Sequence, residues 1–423
     1  MGAVSDERPI KVGVIDVERC PDAISAAPNY SALWALIREH GRPLGMIKIP
    51  FDGAELTRAQ LTEAIAAMPP QAARPSASRS QPGRLPSISV VIPTMFERLE
   101  GLRACLSSLS ELDYPEYEVI VVDNRPQGSP PISVTEARMV CEPLPGISAA
   151  RNRGLAAATG EVIAFTDDDV EVDPGWLLAI GERLRAHPEE ACVTGITLPR
   201  ELETPAQIAV EEYYGGFGLR TFEPASHHLR VTSGPKALLS PATVDAIGED
   251  GGLLRSFSLY ATGSFGHGAN MAVRSDVLRD LGGFDVALGT GTPACGGEDL
   301  AMFARLIWQG YSIGFDPAAI VHHIHRREDD GLRRQIEGYG IGWGALLLAL
   351  VLEDPRHLAR MLATAPRGLR AMGTSYRHKL RSGSCAQSEQ GSRSRTPELA
   401  RLELHGIAAG PARYLRSRHR RAT

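Results

Sequence analysis

Between Ile88 and Arg327 the chain alternates short apolar runs with amphipathic segments, and this alternation limits the possible folds more than any other feature. The runs ISVVIPT, YEVIVVDN, ARMVCEP and EVIAFTDDD have the pattern of strands, mostly covered on both faces. The segments RLEGLRACLSSLSEL, GISAARNRGLAAATG and PGWLLAIGERLRAH have the pattern of helices. The order predicts an α/β domain with a mostly parallel sheet flanked by helices, in which ligands bind beyond the carboxyl ends of the strands.

The rest of the 423 residues divides into segments on either side of this domain, residues 88–327. Residues 1–68 contain YSALWALIREHG, which has a helical pattern, between two alternating runs, and predict a small α/β module of unknown role. Residues 69–87 are rich in Pro, Ser, Ala and Arg and predict a flexible linker. Residues 328–380 predict a helical extension, and residues 381–423 predict a disordered stretch followed by a basic C-terminal helix.

Composition excludes several classes of protein. The net charge of −5 gives no indication of a nucleic-acid partner. The six cysteines have no CxxC or CxxxC spacing, so they indicate free thiols in a reducing compartment rather than a zinc site or a disulfide framework. The N-terminus, MGAVSDERPI, has no apolar core behind a basic start, so we expect no secretory signal. These features predict a cytoplasmic protein.

Two apolar or basic segments near the C-terminus raise the question of membrane contact. The longest apolar run, GWGALLLALVL at residues 342–352, is shorter than the roughly 20 residues needed to cross a bilayer. With the terminal HGIAAGPARYLRSRHRR it could form an apolar surface flanked by arginines, which favours peripheral contact with anionic lipid. The same run could instead pack as a core helix on the main domain, and the pattern leaves both arrangements open.

Acidic residues follow three of the predicted strands. Asp123 ends the second strand, Glu142 follows the third, and Asp167, Asp168 and Asp169 follow the fourth. Because the carboxyl ends of parallel strands share one edge, these carboxylates should gather there, and their crowding is unfavourable without a counter-charge. Carboxylate oxygens suit a hard divalent cation such as Mg²⁺ or Mn²⁺, which would let the cleft hold an anionic diphosphate. The sequence therefore predicts a metal–diphosphate site at this edge.

Seven blocks of the chain together resemble the motif series of the family 2 glycosyltransferases. They are VVIPT (90–94), VVDN (121–124), PGISAARNRG (145–154), FTDDDVEVDPGW (165–176), GHGANMAVR (266–274), GGFD (282–285) and GGEDL (296–300). The resemblance implies a Rossmann-like GT-A fold and inverting transfer of a sugar from a nucleotide-diphosphate donor, with a divalent metal, Mn or Mg. The implied acceptor is a hydroxyl of a glycan, a lipid-linked molecule or a small molecule, as in polysaccharide or cell-envelope biosynthesis.

The resemblance also implies roles for residues of the donor side. Pro93 and Thr94 would line the nucleoside pocket, and Asp123 would accept a hydrogen bond from the base. Asp167 would face the ribose and the sugar, with Asp168 beside it in the nucleotide-sugar site. The prediction of a nucleotide-sugar donor site rests on these assignments.

The remaining donor-side assignments concern the metal and two less regular positions. Asp169, the last residue of the D-x-D pattern, would bind the metal, and a histidine of HHIH, His323 or His325, could complete its site. Arg151 would touch the nucleotide, or it would be an exposed helix residue in a solvated ion pair. Where the family has Tyr-Asn after the first strand, this chain has MFER, so Glu97 is the candidate residue for nucleotide-sugar binding at that position.

The GGED block carries the predicted catalysis. Transfer to a hydroxyl needs a base near the attacking oxygen, and neighbouring carboxylates in a cleft raise its pKa toward the working pH. By resemblance Asp299 is that base and Glu298 binds or orients the acceptor, although acids also favour a helix N-terminus. In GHGANMAVR, Gly268 and Asn270 would form a turn that approaches the acceptor or the donor sugar, or an ordinary tight turn.

Two other functions fit parts of the pattern. A nucleotidyltransferase acting on a sugar phosphate also uses a Rossmann-like sheet and a carboxylate-bound metal, but VVIPTMFERLEG lacks the glycine-rich, basic loop expected after its first strand. A catalytically inactive nucleotide-binding scaffold would keep the fold without turnover, and the intact DDD and GGED blocks argue against it.

Overall fold

The computed structural model describes residues 8–51, 53, 55–68, 83–214, 221–231, 240–381 and 395–422. The N-terminal module contains β1 Ile10–Asp16, β2 Ala23–Ser25, β3 Ala32–Glu39, β4 Arg42–Pro50, β5 Glu55–Thr57 and α1 Arg58–Ala66. The main domain contains β6 Ile88–Thr94, α2 Leu99–Ser110, β7 Tyr117–Asp123, β8 Arg138–Cys141, α3 Ile147–Ala157, β9 Val162–Phe165, β10 Val170–Val172, α4 Trp176–Ala186, β11 Glu190–Pro199, α5 Pro205–Tyr213, β12 Ala225–Leu229, β13 Thr243–Gly248, β14 Leu253–Ser258, β15 Met271–Arg274, α6 Ser275–Asp280, α7 Glu298–Trp308 and β16 Ser312–His323. Three C-terminal helices follow, α8 Asp329–Glu353, α9 Arg356–Arg381 and α10 Thr396–Ala422.

One large sheet organises the main domain. Its strand order is β14-β13-β12-β16-β11-β15-β9-β6-β7-β8, and β10 pairs with β16. The half formed by β9, β6, β7 and β8 is parallel, as predicted, while the antiparallel strand β15 joins it to the parallel pair β11 and β16. The chain crosses over through α2 between β6 and β7 and through α3 between β8 and β9, so helices flank the sheet. The predicted α/β class is confirmed.

The N-terminal module differs from the prediction in its central element. The segment expected to be a helix is strand β3, which pairs with β1 in parallel and with β4 antiparallel. Leu33 faces the module's own core, which includes Leu61 of α1, while Trp34 on the other face packs against Leu202 and Ile208 of the main domain. Because both faces are buried, the apolar run has no polar alternation and imitates a buried helix segment.

Helices α8 and α10 pack closely through glycines on both sides. A Cβ on Gly340 would lie 2.2 Å from the carbonyl oxygen of Glu403, and one on Gly410 would lie 2.5 Å from that of Ile341. The apolar run 342–352 therefore belongs to a packed helix, which supports the core-helix arrangement. Among the described helices, α8 is the one long and apolar enough to cross a membrane, and half of its most apolar window is buried inside the protein.

Several predicted features fall outside the described part of the chain. Residues 69–82 of the expected linker and residues 382–394 of the expected disordered stretch are among them. Five cysteines lie in the described segments, and all five are free thiols, as expected.

Candidate active site

The strand register brings the predicted acidic residues to one edge of the sheet. Thr94 is the neighbour of Asp123 across β6 and β7, and Asp123 is the neighbour of Cys141 across β7 and β8. Phe165 pairs with Val91, so the three aspartates that follow it extend past the end of β9 toward the same edge. Parallel strands present their carboxyl ends together, which is why residues distant in sequence meet here.

The first two aspartates of the DDD run are held by different partners. The Thr94 hydroxyl donates to Asp168 Oδ2 at 2.7 Å, and burial raises the pKa of Asp168 while this hydrogen bond opposes the rise. Asp167 lies 3.3 Å from Arg151 Nη2 and remains partly exposed. The Thr94 side chain is therefore occupied by a carboxylate in this structure, and Asp167 is the more accessible of the two acids.

Asp169 and His323 lie side by side, as predicted for two ligands of one metal. Antiparallel pairing places Val170 of β10 opposite His323 of β16, which leaves Asp169 Oδ1 3.4 Å from His323 Nε2. Two ligand atoms at about 2.1 Å from one ion, roughly 100° apart, would have about this separation. Burial lowers the pKa of His323 to about 4, so its imidazole is neutral and able to bind a cation near neutral pH.

A cation of the protein itself already contacts one of these two candidate ligands, Asp169. The guanidinium of Arg98, in the loop after β6, forms an ion pair with Asp169 Oδ2, and Arg98 Nη1 lies 4.0 Å from Asp168 Oδ1. Within the described residues, no three His, Cys, Asp or Glu side chains are grouped to hold a metal ion. An ion with one carboxylate, one imidazole and substrate phosphates as ligands fits the residues present, because Mg²⁺ sites commonly combine few protein ligands with phosphates.

The GGED block opens helix α7 and places its two acids differently. Glu298 is buried and accepts a hydrogen bond from Arg151 Nη1 at 2.8 Å, whereas Asp299 is half-buried. The backbone N–H of Gly268 donates to Asp299 Oδ2 at 2.8 Å. Gly297 holds the turn before the helix, because its φ is +86° and a Cβ there would lie 2.5 Å from a backbone oxygen of α8. Of the two acids, Asp299 is the more accessible to a substrate.

Arg151 connects the two acidic motifs from inside the protein. Its side chain is only 1% exposed, with the Phe165 and Phe284 rings 5.8 and 5.7 Å from the guanidinium carbon. The alternative of an exposed helix arginine is therefore wrong, because α3 turns this side chain toward Asp167 and Glu298. Burial and the neighbouring acids raise the pKa of Glu298, while Arg151 opposes the rise. Arg151 is a positioning residue, and its buried side chain does not present a surface to a nucleotide.

The predicted base-binding residue, Asp123, is held by an arginine that the sequence reasoning missed. Arg125 donates to both carboxylate oxygens of Asp123, at 2.9 and 2.7 Å, and these bonds lower the pKa of Asp123. The same guanidinium lies 4.9 Å from the centre of the Phe96 ring. Arg125 stands two positions after Asp123 in the sequence, and this short spacing is the feature from which their pairing could have been predicted. In MFER it is Arg98, not the exposed Glu97, that contacts the acidic cluster.

Four further predicted residues take structural or peripheral positions. Asn270 is buried. Its side-chain oxygen accepts a hydrogen bond from the Trp176 indole, and its side-chain nitrogen donates to two backbone carbonyls, so Asn270 holds the turn together and does not face an acceptor.

His325 pairs with Glu211 at 2.7 Å, which leaves His323 as the candidate metal ligand. Pro93 is buried in β6, and Glu142 accepts the backbone N–H of Leu144, outside the cluster.

A family comparison agrees with this geometry. The model of the glycosyl transferase family 2 matches residues 89–282, which include the DDD run and most of the sheet. These residues form a family 2 glycosyltransferase domain. The match confirms the predicted family and enzyme class for this domain, and it argues against a nucleotidyltransferase. The sheet described above agrees with the predicted α/β fold class.

Two curated relatives of this chain are named as glycosyltransferases. It is 30% identical over 250 residues to a pre-mycofactocin glycosyltransferase of Mycobacterium tuberculosis, covering 57% of this chain and 43% of the relative. It is 24% identical over 212 residues to a glucosyl-dolichyl phosphate glucuronosyltransferase of Haloferax volcanii, covering 48% of this chain and 57% of the relative. The chain thus matches about half the length of these relatives.

Solved structures similar to this chain include a mannosyltransferase from Pyrobaculum calidifontis in complex with GDP-Man and Mn²⁺. The two share 16% sequence identity with a TM-score of 0.45, over 80% of this chain and 90% of the other.

Proposed function

We propose that this chain is a metal-dependent, inverting glycosyltransferase that moves a sugar from a nucleotide-diphosphate donor to a hydroxyl acceptor. The observation that carries the proposal is the meeting of two acidic motifs in one place. Arg151 reaches Asp167 at 3.3 Å and Glu298 at 2.8 Å, so one buried guanidinium brings the strand-end acids and the GGED acids close together. A donor held at the first motif would present its anomeric carbon toward the second.

The residues present support a single-displacement reaction. Asp299 takes the proton of the acceptor hydroxyl, and the acceptor oxygen forms a bond to the anomeric carbon from the face opposite the diphosphate. The bond between that carbon and the diphosphate oxygen breaks, and the nucleoside diphosphate leaves with the electron pair. The backbone N–H of Gly268 holds Asp299 Oδ2 at 2.8 Å and so fixes the orientation of the base.

Asp169 and His323 would hold the metal, which when bound would supply positive charge to the leaving diphosphate. Asp167 and Asp168 border the donor, and Thr94 fixes Asp168. A hydroxyl acceptor and a cytoplasmic location belong to this proposal as expectations from the sequence. Peripheral membrane contact is a separate expectation from the sequence.

Thermal unfolding of the full chain tests the donor site. We expect one family of nucleotide diphosphates or nucleotide sugars to raise the melting temperature only with Mn²⁺ or Mg²⁺, and a ligand at a hundred times its Kd adds about 2.7 kcal/mol. Asp169→Ala should abolish the metal-dependent rise. Asp113→Ala is the matched control, because this exposed aspartate precedes β7 and lies at the opposite end of that strand from Asp123.

Transfer itself is then measured with the donor that this screen identifies. Asp299→Asn should keep metal-dependent donor binding and lose turnover, and the anomeric configuration of the product should be opposite to that of the donor. Stabilisation by no nucleotide under any metal condition would refute the donor site. Donor binding without transfer or hydrolysis would instead support the inactive scaffold.

A further inference from the structure

Helix α9 has a basic face with a stripe of leucines that the described part of the chain leaves exposed. The helix, Arg356–Arg381, contains seven Arg and Lys and no Asp or Glu, in a chain whose net charge is −5. Leu358, Leu362 and Leu369 are 50%, 66% and 68% exposed. At about 100° per residue these three positions lie within about 40° of one another, so they form one stripe along the helix.

The other side of α9 anchors it to the protein. His357 is buried and lies against the Trp308 ring, with the two ring centres 4.0 Å apart. Met361 packs against the main core, and farther along the helix the Tyr376 hydroxyl donates to Glu403 of α10 at 2.6 Å. These contacts fix the rotation of the helix about its axis, so the exposure of the leucine stripe is a fixed property of the fold.

We propose that this face of α9 docks on an anionic lipid bilayer. We call it the lipid face and define it by Leu358, Leu362 and Leu369 with the exposed Arg367 and Arg370. The leucines enter the boundary between headgroups and acyl chains, and the arginines contact lipid phosphates. A basic helix with exposed leucines along one side has the chemistry of a helix that lies in the membrane interface.

Charge complementarity favours a bilayer over a second copy of this chain. A two-fold dimer through the lipid face would place α9 against α9, and two helices that each carry seven cations and no anion would repel each other. An anionic bilayer supplies a continuous negative surface, which attracts each nearby Lys or Arg by about 1 kcal/mol.

This proposal places lipid contact elsewhere than the sequence suggested. The apolar run of α8 and the HGIAAG segment of α10 pack on each other through Gly340 and Gly410, so neither glycine face is available to lipid. The exposed leucines lie instead on the helix between them in sequence. The lipid face is independent of the proposed reaction, and its test requires no donor or acceptor.

Flotation of the full chain with vesicles tests the lipid face. We expect binding to phosphatidylcholine vesicles that contain phosphatidylglycerol, little binding to phosphatidylcholine alone, and weaker binding as salt increases. Leu358→Ser/Leu362→Ser/Leu369→Ser should lower the partition coefficient at least about tenfold. All three positions are exposed, so the variant should unfold at the same temperature as the wild type.

A matched control changes exposed apolar residues of the sheet edge instead. Val231, Leu253 and Leu254 are 87%, 58% and 42% exposed, and replacing all three by Ser should leave vesicle binding unchanged. Arg367→Glu/Arg370→Glu should reduce binding to the anionic vesicles.

Three results would overturn the proposal. The wild-type chain could fail to bind anionic vesicles, or the leucine variant could bind as well as the wild type. Sedimentation equilibrium could also show a dimer that the leucine variant converts to a monomer, which would assign the face to a second copy of the chain.

Discussion

Replacing Arg151 by Met should destabilise the native state by about 3–5 kcal/mol at pH values above neutral, because a buried carboxylate loses its cation. The magnitude follows from the structure. Arg151 is 1% exposed, its Nη1 lies 2.8 Å from Glu298 Oε1, and the Glu298 side chain is 8% exposed. Water therefore cannot replace the guanidinium, and methionine fills a similar length without charge.

The cost should depend on pH with a definite sign. Burial raises the pKa of Glu298 above its ordinary value of 4.5, with Asp299 adding to the rise and Arg151 opposing it. Removing Arg151 therefore raises this pKa further. A carboxyl group with a raised folded-state pKa binds an extra proton in the native state, so native stability falls as pH rises between the unfolded and folded values. The cost of Arg151→Met is thus largest at about pH 8 and smaller at about pH 5, where Glu298 of the variant is protonated.

Urea unfolding of both proteins at the two pH values measures this dependence. The double variant Arg151→Met/Glu298→Gln should recover part of the lost stability at about pH 8, because it removes both charges. Arg183→Met is the control, since Arg183 forms another buried ion pair, with Glu190 at 2.6 Å, away from the acidic cluster. It should lose stability but retain metal-dependent donor binding, whereas Arg151→Met should weaken that binding.

Equal destabilisation by Arg151→Met at the two pH values would refute the reasoning. So would a double variant no more stable than Arg151→Met alone. In either case the guanidinium would contribute by packing rather than by compensating the buried carboxylate.

Two further substitutions test the candidate active site. Gly268→Ala would place a Cβ 2.8 Å from Arg151 Nη2, and we expect initial rates of transfer at least about tenfold lower, whereas Gly263→Ala, with no atom within 4 Å of its Cβ, should retain the wild-type rate. Arg98→Ala should lower the Mn²⁺ concentration for half-maximal thermal stabilisation about fivefold, because Arg98 contacts the buried carboxylate of Asp169 and competes with the metal for it. Competition of about 1 kcal/mol corresponds to about a fivefold change in affinity. An unchanged or higher Mn²⁺ requirement would show that Arg98 does not compete with the metal.

The sequence predicted the part of the fold in which local pattern and tertiary structure agree. Strands β6, β7 and β9 are short apolar runs separated by helices with clear helical spacing, so their parallel pairing follows from their order. The acids at their ends could be placed together for the same reason. The sequence alone therefore predicted that Thr94, Asp123 and Asp167 lie at the same edge of the sheet.

Contacts between residues that are far apart in the sequence could not be predicted in this way. Arg151 and Glu298 are 147 positions apart, and their meeting depends on how α3 and α7 pack over the sheet. His323 reaches Asp169 only because the short strand β10 pairs with β16. Helical or strand periodicity describes which face a side chain occupies, but it contains no information about the element that covers that face.

The N-terminal module shows the same limit of prediction from sequence. It also contacts a segment next to the candidate site. Strand β3 has apolar residues on both faces because the main domain covers the second one, with Leu36 packed against Ile196 and Ile320. From the end of that strand, Arg38 Nη1 reaches Asp173 Oδ2 at 2.7 Å. Asp173 follows β10 and stands four positions after Asp169, so the docked module contacts the segment that carries the predicted metal ligand. The apolar second face of β3 is thus the sequence feature that joins the module to the catalytic domain.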